Sequence, residues 1–314
     1  MLGQTVPAID VGGTVIKGGL VGPGGVIVRR RSVSTAADQG YLAVIDRISR
    51  VGKALLDDAA RQYPAPPGPA PARLAVTIPG IVDEAAGRAI KAANFDWVDY
   101  PIGDMLTELI GLPVVISHDV TVGALAEYRY GAAQGAEAAL VVPIGTGLAA
   151  GLIYHGAPYR GAHGRIVEVG HLELDWSDVP CGCGGVGCVE RVASASAIAK
   201  RYAKLTGLEP GTDTNPDAKA IAQLVREGAP AAVRIWDDAV RALADALVTL
   251  ITVLDPDRIV VGGGLSRAGE TLLAPLRTAL DARLTFQQAP DLVVAQLGAD
   301  AGLIGAAITA GLDS

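Results

Sequence analysis

The sequence carries little charge and no excess of positive charge. Charged residues make up 19% of the 314 positions, and the formal net charge is −7. The shortage of basic side chains excludes an extended nucleic-acid-binding surface. A nucleotide substrate remains compatible with it, because backbone N–H groups and metal ions hold phosphates without a basic patch. Hydrophobic residues make up 50% of the chain, which excludes disorder as the main state, and the length predicts about two domains.

The sequence also lacks the patterns that are typical of a signal peptide and of a membrane-spanning segment. Residues 1–7 contain neither a basic segment nor an apolar core. The stretch Ala138–Tyr159 has no charged side chain and is long enough for a span, but Pro143 and a Gly-Thr-Gly run interrupt it. We expect two buried strands there, no membrane partner, and a cytoplasmic protein.

Cysteine is scarce, and its three copies are clustered. Cys181, Cys183 and Cys188 lie close together, and their odd number excludes a disulfide framework. With His171 they form a Cys₃His set, which predicts a closed tetrahedral zinc site with a structural role. The alternative is three free buried thiols.

Strand-like and helix-like segments alternate along the chain, which predicts an α/β fold. The apolar runs at 6–10, 15–21 and 26–33 predict an antiparallel meander, and residues 41–63 have helical spacing. Further strands are predicted at 74–78, 114–117, 139–144, 148–154, 258–261 and 292–296. Further helices are predicted at 121–130, 189–205, 218–227, 231–254, 270–284 and 301–310.

Three glycine-rich turns each follow an apolar strand, and we interpret them as phosphate-binding elements. Glycine allows a phosphate to approach the backbone, and a carboxylate at a strand end can hold Mg²⁺. None matches a P-loop or dinucleotide fingerprint, and an ordinary hairpin turn is the alternative for the first. The candidate residues are Asp10, Gly12, Gly13, Thr14 and Lys17; Gly145, Thr146 and Gly147; and Gly262, Gly263 and Gly264.

A carboxylate follows the strand at 114–117. Asp119, preceded by His118, is suitably placed for a general base that takes a proton from an alcohol attacking phosphorus. The alternative is that Asp119 only caps the following helix.

Together these motifs resemble the ROK family of sugar kinases, and among them the bacterial glucokinases. The resemblance covers nearly the whole chain. It is carried by DVGGTxxK from Asp10, PGIVD from Pro79, NFDW from Asn94, EYRYG from Glu127, ExGH from Glu168 and CxCGxxGCxE from Cys181.

The resemblance implies a two-lobed, actin-like or hexokinase-like ATPase fold with ATP in an interdomain cleft. We expect a small lobe at 1–117, joined by the C-terminal segment 301–314. The large lobe is expected at 118–300, including the zinc loop. The family's transcriptional repressors carry an additional N-terminal helix-turn-helix, whereas here the phosphate motif begins by Asp10.

The resemblance also implies roles for individual residues. Asp119 falls on the catalytic base, Asp10 would serve Mg²⁺ bound with ATP, and His171 would contact both zinc and sugar. A homo-oligomer, dimer or tetramer, is implied as well. The substrate-binding positions are Gly80, Asn94, His118, Asp119, Glu168, His171 and Glu190.

One departure from the family pattern bears on the substrate. The family has Asn where this chain has His118, and that Asn binds sugar hydroxyls near carbons 3 and 4. We therefore expect an ATP-dependent kinase for the primary (6-) hydroxyl of glucose or of a modified sugar such as kanosamine (3-amino-3-deoxyglucose). A cyclitol kinase or a non-catalytic sugar-sensing regulator is the alternative.

Overall fold

The structure is a computed structural model that describes residues 5–61, 72–92, 95, 97–208 and 216–313. The chain divides into two compact units. The first comprises Met1–Tyr130, Arg160–Ile166 and Ala299–Ser314, and the second comprises Gly131–Tyr159 and Val167–Gly298. Within the described residues, every helix is too short or too polar to traverse a lipid bilayer.

The strands and helices follow one another in the α/β manner that the sequence predicts. The strands are β1 (Val6–Val11), β2 (Val15–Gly22), β3 (Val26–Ser34), β4 (Leu74–Ile78), β5 (Ile81–Asp83), β6 (Arg88–Ala92), β7 (Trp97–Tyr100), β8 (Val114–His118), β9 (Ala138–Pro143), β10 (Gly151–Tyr154), β11 (Ala157–Tyr159), β12 (Arg258–Gly262) and β13 (Asp291–Val294). The α-helices are α1 (Tyr41–Arg61), α2 (Ile102–Ile110), α3 (Asp119–Tyr130), α4 (Glu190–Ala193), α5 (Ala195–Thr206), α6 (Ala218–Arg226), α7 (Pro230–Leu254), α8 (Glu270–Asp281) and α9 (Ala301–Thr309).

The first unit is built on a five-stranded sheet of order β3-β2-β1-β4-β8. The meander β1–β3 is antiparallel, as predicted, whereas β4 and β8 run parallel to β1. Helix α1 covers the sheet because its apolar residues recur at helical spacing; Ile45, Ile48 and Leu55 are buried in the core.

A small antiparallel sheet, β5-β6-β7, and helix α2 also belong to the first unit. The sequence analysis did not identify these elements. The strands have three to five residues, too few to show a clear alternation. Trp97 on β7 is 1% exposed and anchors this sheet to the core, where it stacks on Phe95.

The second unit repeats the arrangement with a sheet of order β11-β10-β9-β12-β13. Strands β12 and β13 are parallel to β9, while β10 is antiparallel to it. The long helix α7 packs on α5, α6 and α8 and contributes much of the core, including Trp236, which is 2% exposed.

Two predicted elements of the second unit are corrected by the structure. The strand predicted at 148–154 begins only at Gly151, because Leu148 forms an isolated bridge with Ile144 instead. The helix predicted at 189–205 is divided at Ser194, whose extended backbone ends α4 and whose hydroxyl accepts the N–H of Ala197 to cap α5.

Helix α3 belongs to the first compact unit, whereas the sequence-based boundary at 117/118 assigns it to the large lobe. The reason lies in its packing against α9. A Cβ atom placed on Gly305 of α9 would lie 1.9 Å from the carbonyl oxygen of Val122 in α3, so the two helix backbones are in direct contact.

Candidate active site

In the first unit, several candidate residues are placed at one edge of the sheet. Asp10 is opposite Thr77 in the β1/β4 pairing, and Ile78 is opposite His118 in the β4/β8 pairing. The three strands are parallel, so their carboxyl ends meet, and in α/β folds ligands bind at such an edge. Asp10, Gly80 and Asp119 therefore share this edge.

Asp10 is largely buried and paired with Lys17 on β2. The ammonium Nζ lies 3.4 Å from Oδ2 of Asp10 and donates a second hydrogen bond, 3.0 Å long, to the carbonyl of Ala299. Burial raises the pKa of Asp10; Lys17 opposes this, while Asp119 and Asp300 add to it. Asp10, Asp119 and Asp300 thus contribute negative charge around Lys17, and Arg30 forms an ion pair with Asp300.

The turn after β1 presents exposed backbone. The carbonyl of Gly12 accepts a hydrogen bond from the Thr35 hydroxyl at 2.7 Å, and the carbonyl of Thr14 accepts the Thr35 N–H at 2.9 Å. Gly13 and Thr14 are exposed. Thr35 therefore fixes two carbonyl groups of the turn, while Gly13 and Thr14 remain accessible to solvent.

Asp119 begins helix α3 and contacts the side chain before it. Oδ1 of Asp119 accepts the N–H of Val120 at 2.8 Å and lies 3.3 Å from Nε2 of His118. Burial raises the pKa of the Asp119 carboxyl, and His118 and the backbone hydrogen bonds oppose this. The side chain keeps 33% of its surface exposed, so the carboxyl can still reach a ligand.

His118 has contacts at both ring nitrogens. Nδ1 lies 3.0 Å from the Thr121 hydroxyl, while Nε2 faces Asp119. Its backbone N–H donates to Oε1 of Glu84 at 3.0 Å, and Oε2 of Glu84 accepts from Arg160 at 2.5 Å. The sequence analysis missed Glu84, Thr121 and Arg160; of these, Thr121 has a sequence signal, its position one helical turn after His118.

In the second unit, two glycine-rich turns interlock at the edge of the second sheet. Gly262 of β12 is opposite Pro143 of β9, and its carbonyl accepts the N–H of Ile144 at 3.0 Å. Gly263 has φ 75°, and a Cβ atom there would lie 2.4 Å from the carbonyl oxygen of Ile144. Only glycine fits this position. The turns Gly145–Gly147 and Gly262–Gly264 are therefore neighbours.

Glu190 connects the Gly145–Gly147 turn to the loop that carries Cys181, Cys183 and Cys188, which we call the cysteine loop. Oε2 of Glu190 accepts the N–H of Leu148 at 2.9 Å. The ExGH segment contains a short 3₁₀ turn, Val169–His171, and Gly170 packs on the carbonyl of Leu148. Glu168 and His171 are exposed, and Glu190 is half-buried.

The predicted metal ligands come together within one small region. The ligand atoms of His171, Cys181, Cys183 and Cys188 all lie within 4.8 Å of one another. Cys181 Sγ is 3.8 Å from Nδ1 of His171, and Cys183 Sγ is 3.6 Å from Cys188 Sγ. A tetrahedral zinc with Zn–S bonds of about 2.3 Å needs ligand–ligand distances of about 3.7 Å. The donor set and its spacing therefore fit zinc.

Each unit thus gathers its own share of the candidate residues. The first contains Asp10, the Gly12–Thr14 turn, Lys17, Gly80, His118 and Asp119. The second contains the other two glycine turns, Glu168, Glu190 and the four metal-ligand candidates. Asn94 lies outside the described residues.

These features define a mixed α/β protein of the actin-like or hexokinase-like ATPase class, with glycine turns at the strand ends of both units. The profile of the ROK family matches residues 6–311. The chain therefore belongs to the ROK family.

Individual relatives agree with this membership. Glucokinase of Streptomyces coelicolor is 31% identical over 327 residues, covering 98% of this chain and 97% of that protein. The crystal structure of a ROK family glucokinase from Streptomyces griseus in complex with glucose and AMPPNP is 31% identical, with a TM-score of 0.81 and coverage of 98% and 99%. The structure of a ROK family transcriptional regulator, a homologue of the E. coli MLC protein, is 25% identical with a TM-score of 0.85; the match covers 98% of this chain and 78% of the regulator.

Proposed function

We propose that this ATP-dependent sugar kinase phosphorylates the primary 6-hydroxyl of glucose or of a glucose-like sugar. The observation that carries the proposal is the position of Asp119. It is a partly accessible carboxylate with a raised pKa, at the same sheet edge as Asp10 and Lys17. A base for phosphoryl transfer to an alcohol requires this combination of access and basicity.

In the proposed reaction, Asp119 accepts the proton of the sugar hydroxyl while the hydroxyl oxygen forms its bond to the γ-phosphorus of ATP. The bond from this phosphorus to the bridging oxygen breaks, and ADP leaves. The turns at Gly12–Thr14, Gly145–Gly147 and Gly262–Gly264 would hold the phosphates through backbone N–H groups. Asp10 would hold Mg²⁺, which supplies charge neutralisation when it is bound with ATP.

The sugar-binding residues that we propose are those that the family resemblance implies. In the first unit they are Gly80, Asn94, His118 and Asp119. In the second unit Glu168, His171 and Glu190 would accept or donate hydrogen bonds to sugar hydroxyls. The close fixation of Glu190 and Gly170 to Leu148 supports this assignment, because a binding carboxylate needs a defined orientation.

His171, Cys181, Cys183 and Cys188 would hold a structural zinc ion. Four protein ligands leave no open position, so the ion would act on folding and on the orientation of His171. The N–H of Gly185 lies 3.4 Å from Cys183 Sγ, and this donor lowers the pKa of the Cys183 thiol. Burial raises the pKa of the Cys188 thiol to about 12, so the support for metal binding comes from the close approach of the four ligand atoms.

Glucose and a ring altered near carbon 3, such as kanosamine, are both proposed as the substrate, with a cyclitol as the alternative. Both ring nitrogens of His118 already have contacts, to Thr121 and Asp119. An unpaired polar group in a binding site costs about 1–3 kcal/mol. A glucose hydroxyl that binds an Asn amide in the family would lose that partner here, whereas a ring altered at that carbon does not present the same hydroxyl.

The test is ATP consumption by the purified protein against glucose, kanosamine, N-acetylmannosamine and a C7-cyclitol. We expect turnover with glucose or with a modified ring, and the ratio of their kcat/KM values decides between these two substrates. Replacing His118→Asn should move the preference toward glucose by about 10- to 100-fold in kcat/KM.

Two outcomes would contradict this proposal. A wild-type preference for glucose that His118→Asn does not change would remove the modified-sugar assignment. Sugar binding without ATP consumption for every sugar in the panel would favour the regulator alternative.

A further inference from the structure

The carboxylate of Glu190 is attached to the Gly145–Gly147 turn as well as being a candidate for sugar binding. Oε2 accepts the backbone N–H of Leu148, the residue directly after the turn, at 2.9 Å. Gly147 within the turn is also close to this carboxylate, because a Cβ atom on Gly147 would lie 2.7 Å from the same oxygen. The carboxylate therefore rests directly against the turn backbone.

The backbone that carries Glu190 is firmly held. Val189 is 0% exposed, and its N–H donates to the carbonyl of Leu172 at 2.9 Å. On the other side, Gly170 closes against Leu148 and against Cβ of Glu190. The Glu190 side chain thus extends from a tightly packed backbone to the turn. Because this backbone is held in place, a displacement of the Glu190 carboxylate should also displace the turn.

The rest of the turn is held by other groups. The carbonyl of Gly145 accepts the N–H of Ala195 at 2.8 Å, and the carbonyl of Thr146 accepts the Ser196 hydroxyl at 2.6 Å. These contacts fix the carbonyl groups of the turn. The N–H of Gly145 donates to the carbonyl of Gly147 at 2.9 Å, which closes the turn on itself. The hydrogen bond from the Leu148 N–H to Glu190 fixes the end of the turn that leads into Leu148, and it depends on an ionisable side chain.

We infer that Glu190 is a positioning residue for the Gly145–Gly147 turn, so that nucleotide binding depends on the carboxylate that also serves the sugar. The inference rests on the proposed function, which assigns the turn to phosphate and Glu190 to sugar. Oε2 holds the turn, and among the described residues Oε1 has no hydrogen-bond partner. One carboxylate can therefore bind a sugar hydroxyl and the turn at the same time.

The test measures nucleotide affinity with sugar left out. The Mg²⁺ complex of a non-hydrolysable ATP analogue is titrated calorimetrically into the wild type, Glu190→Ala, Glu190→Gln and Glu168→Ala. Loss of the acceptor in Glu190→Ala should weaken nucleotide binding about tenfold. The amide oxygen of Glu190→Gln can still accept the Leu148 N–H, so its affinity should stay within about twofold of wild type.

Glu168→Ala is the matched control, because Glu168 belongs to the same proposed sugar set but has no hydrogen bond to the turn within the described segments. It should lose sugar affinity and keep nucleotide affinity within about twofold. If Glu190→Ala does not fold, Glu190→Asp takes its place. Its shorter side chain withdraws the carboxylate from Leu148, so we expect a similar loss.

Several outcomes would overturn the inference. One is an unchanged nucleotide affinity in Glu190→Ala or Glu190→Asp. The others are a loss of nucleotide affinity in Glu190→Gln, or in Glu168→Ala, that is as large as the loss in Glu190→Ala. The proposed function fails separately, by the absence of ATP consumption in the wild type with every sugar. A wild type that turns over while Glu190→Ala binds nucleotide normally would therefore refute the inference alone.

Discussion

At the residue scale, the surroundings of Asp119 determine how well it can act as a base. Burial disfavours its charged form, whereas His118 and the Val120 N–H favour it. The first effect is larger, so the pKa of the carboxyl rises above its ordinary value. A base with a raised pKa accepts a proton more readily, provided that it is deprotonated at the working pH.

Replacing Asp119→Asn tests the proposed base. Asn has the same size and can also accept the Val120 N–H, but it cannot accept the proton of the sugar hydroxyl. We expect kcat to fall by about 10²–10⁴-fold, while sugar affinity measured by calorimetry changes little. Normal turnover in this variant would assign Asp119 to helix capping alone.

The pH dependence of kcat/KM tests the influence of His118 on the base. Asp119 must be deprotonated to act, so activity should fall as the pH decreases through its raised pKa. His118 lowers this pKa, so His118→Asn should move the acidic limb of the profile to higher pH. Thr121→Ala, which removes the hydroxyl beside Nδ1 but keeps the His118 imidazole, is the control. A limb that stays in place or moves to lower pH in His118→Asn would contradict this account.

At the scale of elements, the sequence was informative where a strand runs into a glycine turn. The meander β1–β3, the strands β4, β8 and β12, and the turns after β1, β9 and β12 were predicted, because apolar strands and glycines give local signals. Helix α2 was missed although its buried residues Ile102, Leu106 and Ile110 have helical spacing. The contact of Glu84 with the His118 N–H joins residues far apart in the chain, and no local pattern predicts it.

The cysteine loop gives a prediction about metal content. Protein purified without chelator should contain about one zinc per chain, and Cys183→Ser should lose it and melt at lower temperature, because the binding free energy of a structural site is folding free energy. Sugar affinity should fall as well, since His171 loses its fixed orientation. Val186→Thr, an exposed position of the same loop, should retain the metal. Wild-type protein without zinc would exclude this role for the loop.

The contact between α3 and α9 gives a prediction about stability. Gly305→Ala places a methyl group 1.9 Å from the Val122 carbonyl oxygen, so the helices must separate. We expect a loss of about 2–3 kcal/mol in the free energy of unfolding, measured with urea. At Gly123 of α3 the nearest atom to an added Cβ is Ala301 Cβ at 3.8 Å. Gly123→Ala should therefore be neutral or stabilising by about 0.5–1 kcal/mol, and equal losses at both positions would contradict this packing.

At the scale of the whole molecule, the first unit is assembled from three separate parts of the chain, the last of which is Ala299–Ser314. This final part contacts the candidate catalytic edge directly. The carbonyl of Ala299 accepts a hydrogen bond from Lys17, and Gly302 lies against the carboxyl of Asp10. Residues from both ends of the sequence therefore form the environment of Asp10.

This arrangement has a consequence for synthesis on the ribosome. Most of the second unit comes from one stretch, Val167–Gly298, and can begin to fold while translation continues. The first unit uses residues on both sides of that stretch, so the surroundings of Asp10 are completed only when α9 has left the ribosome. A chain that stops before Ala299 would lack the residues that contact Lys17 and Asp10. The capacity to transfer phosphate should therefore arise only after α9 has been translated and has packed beside Asp10.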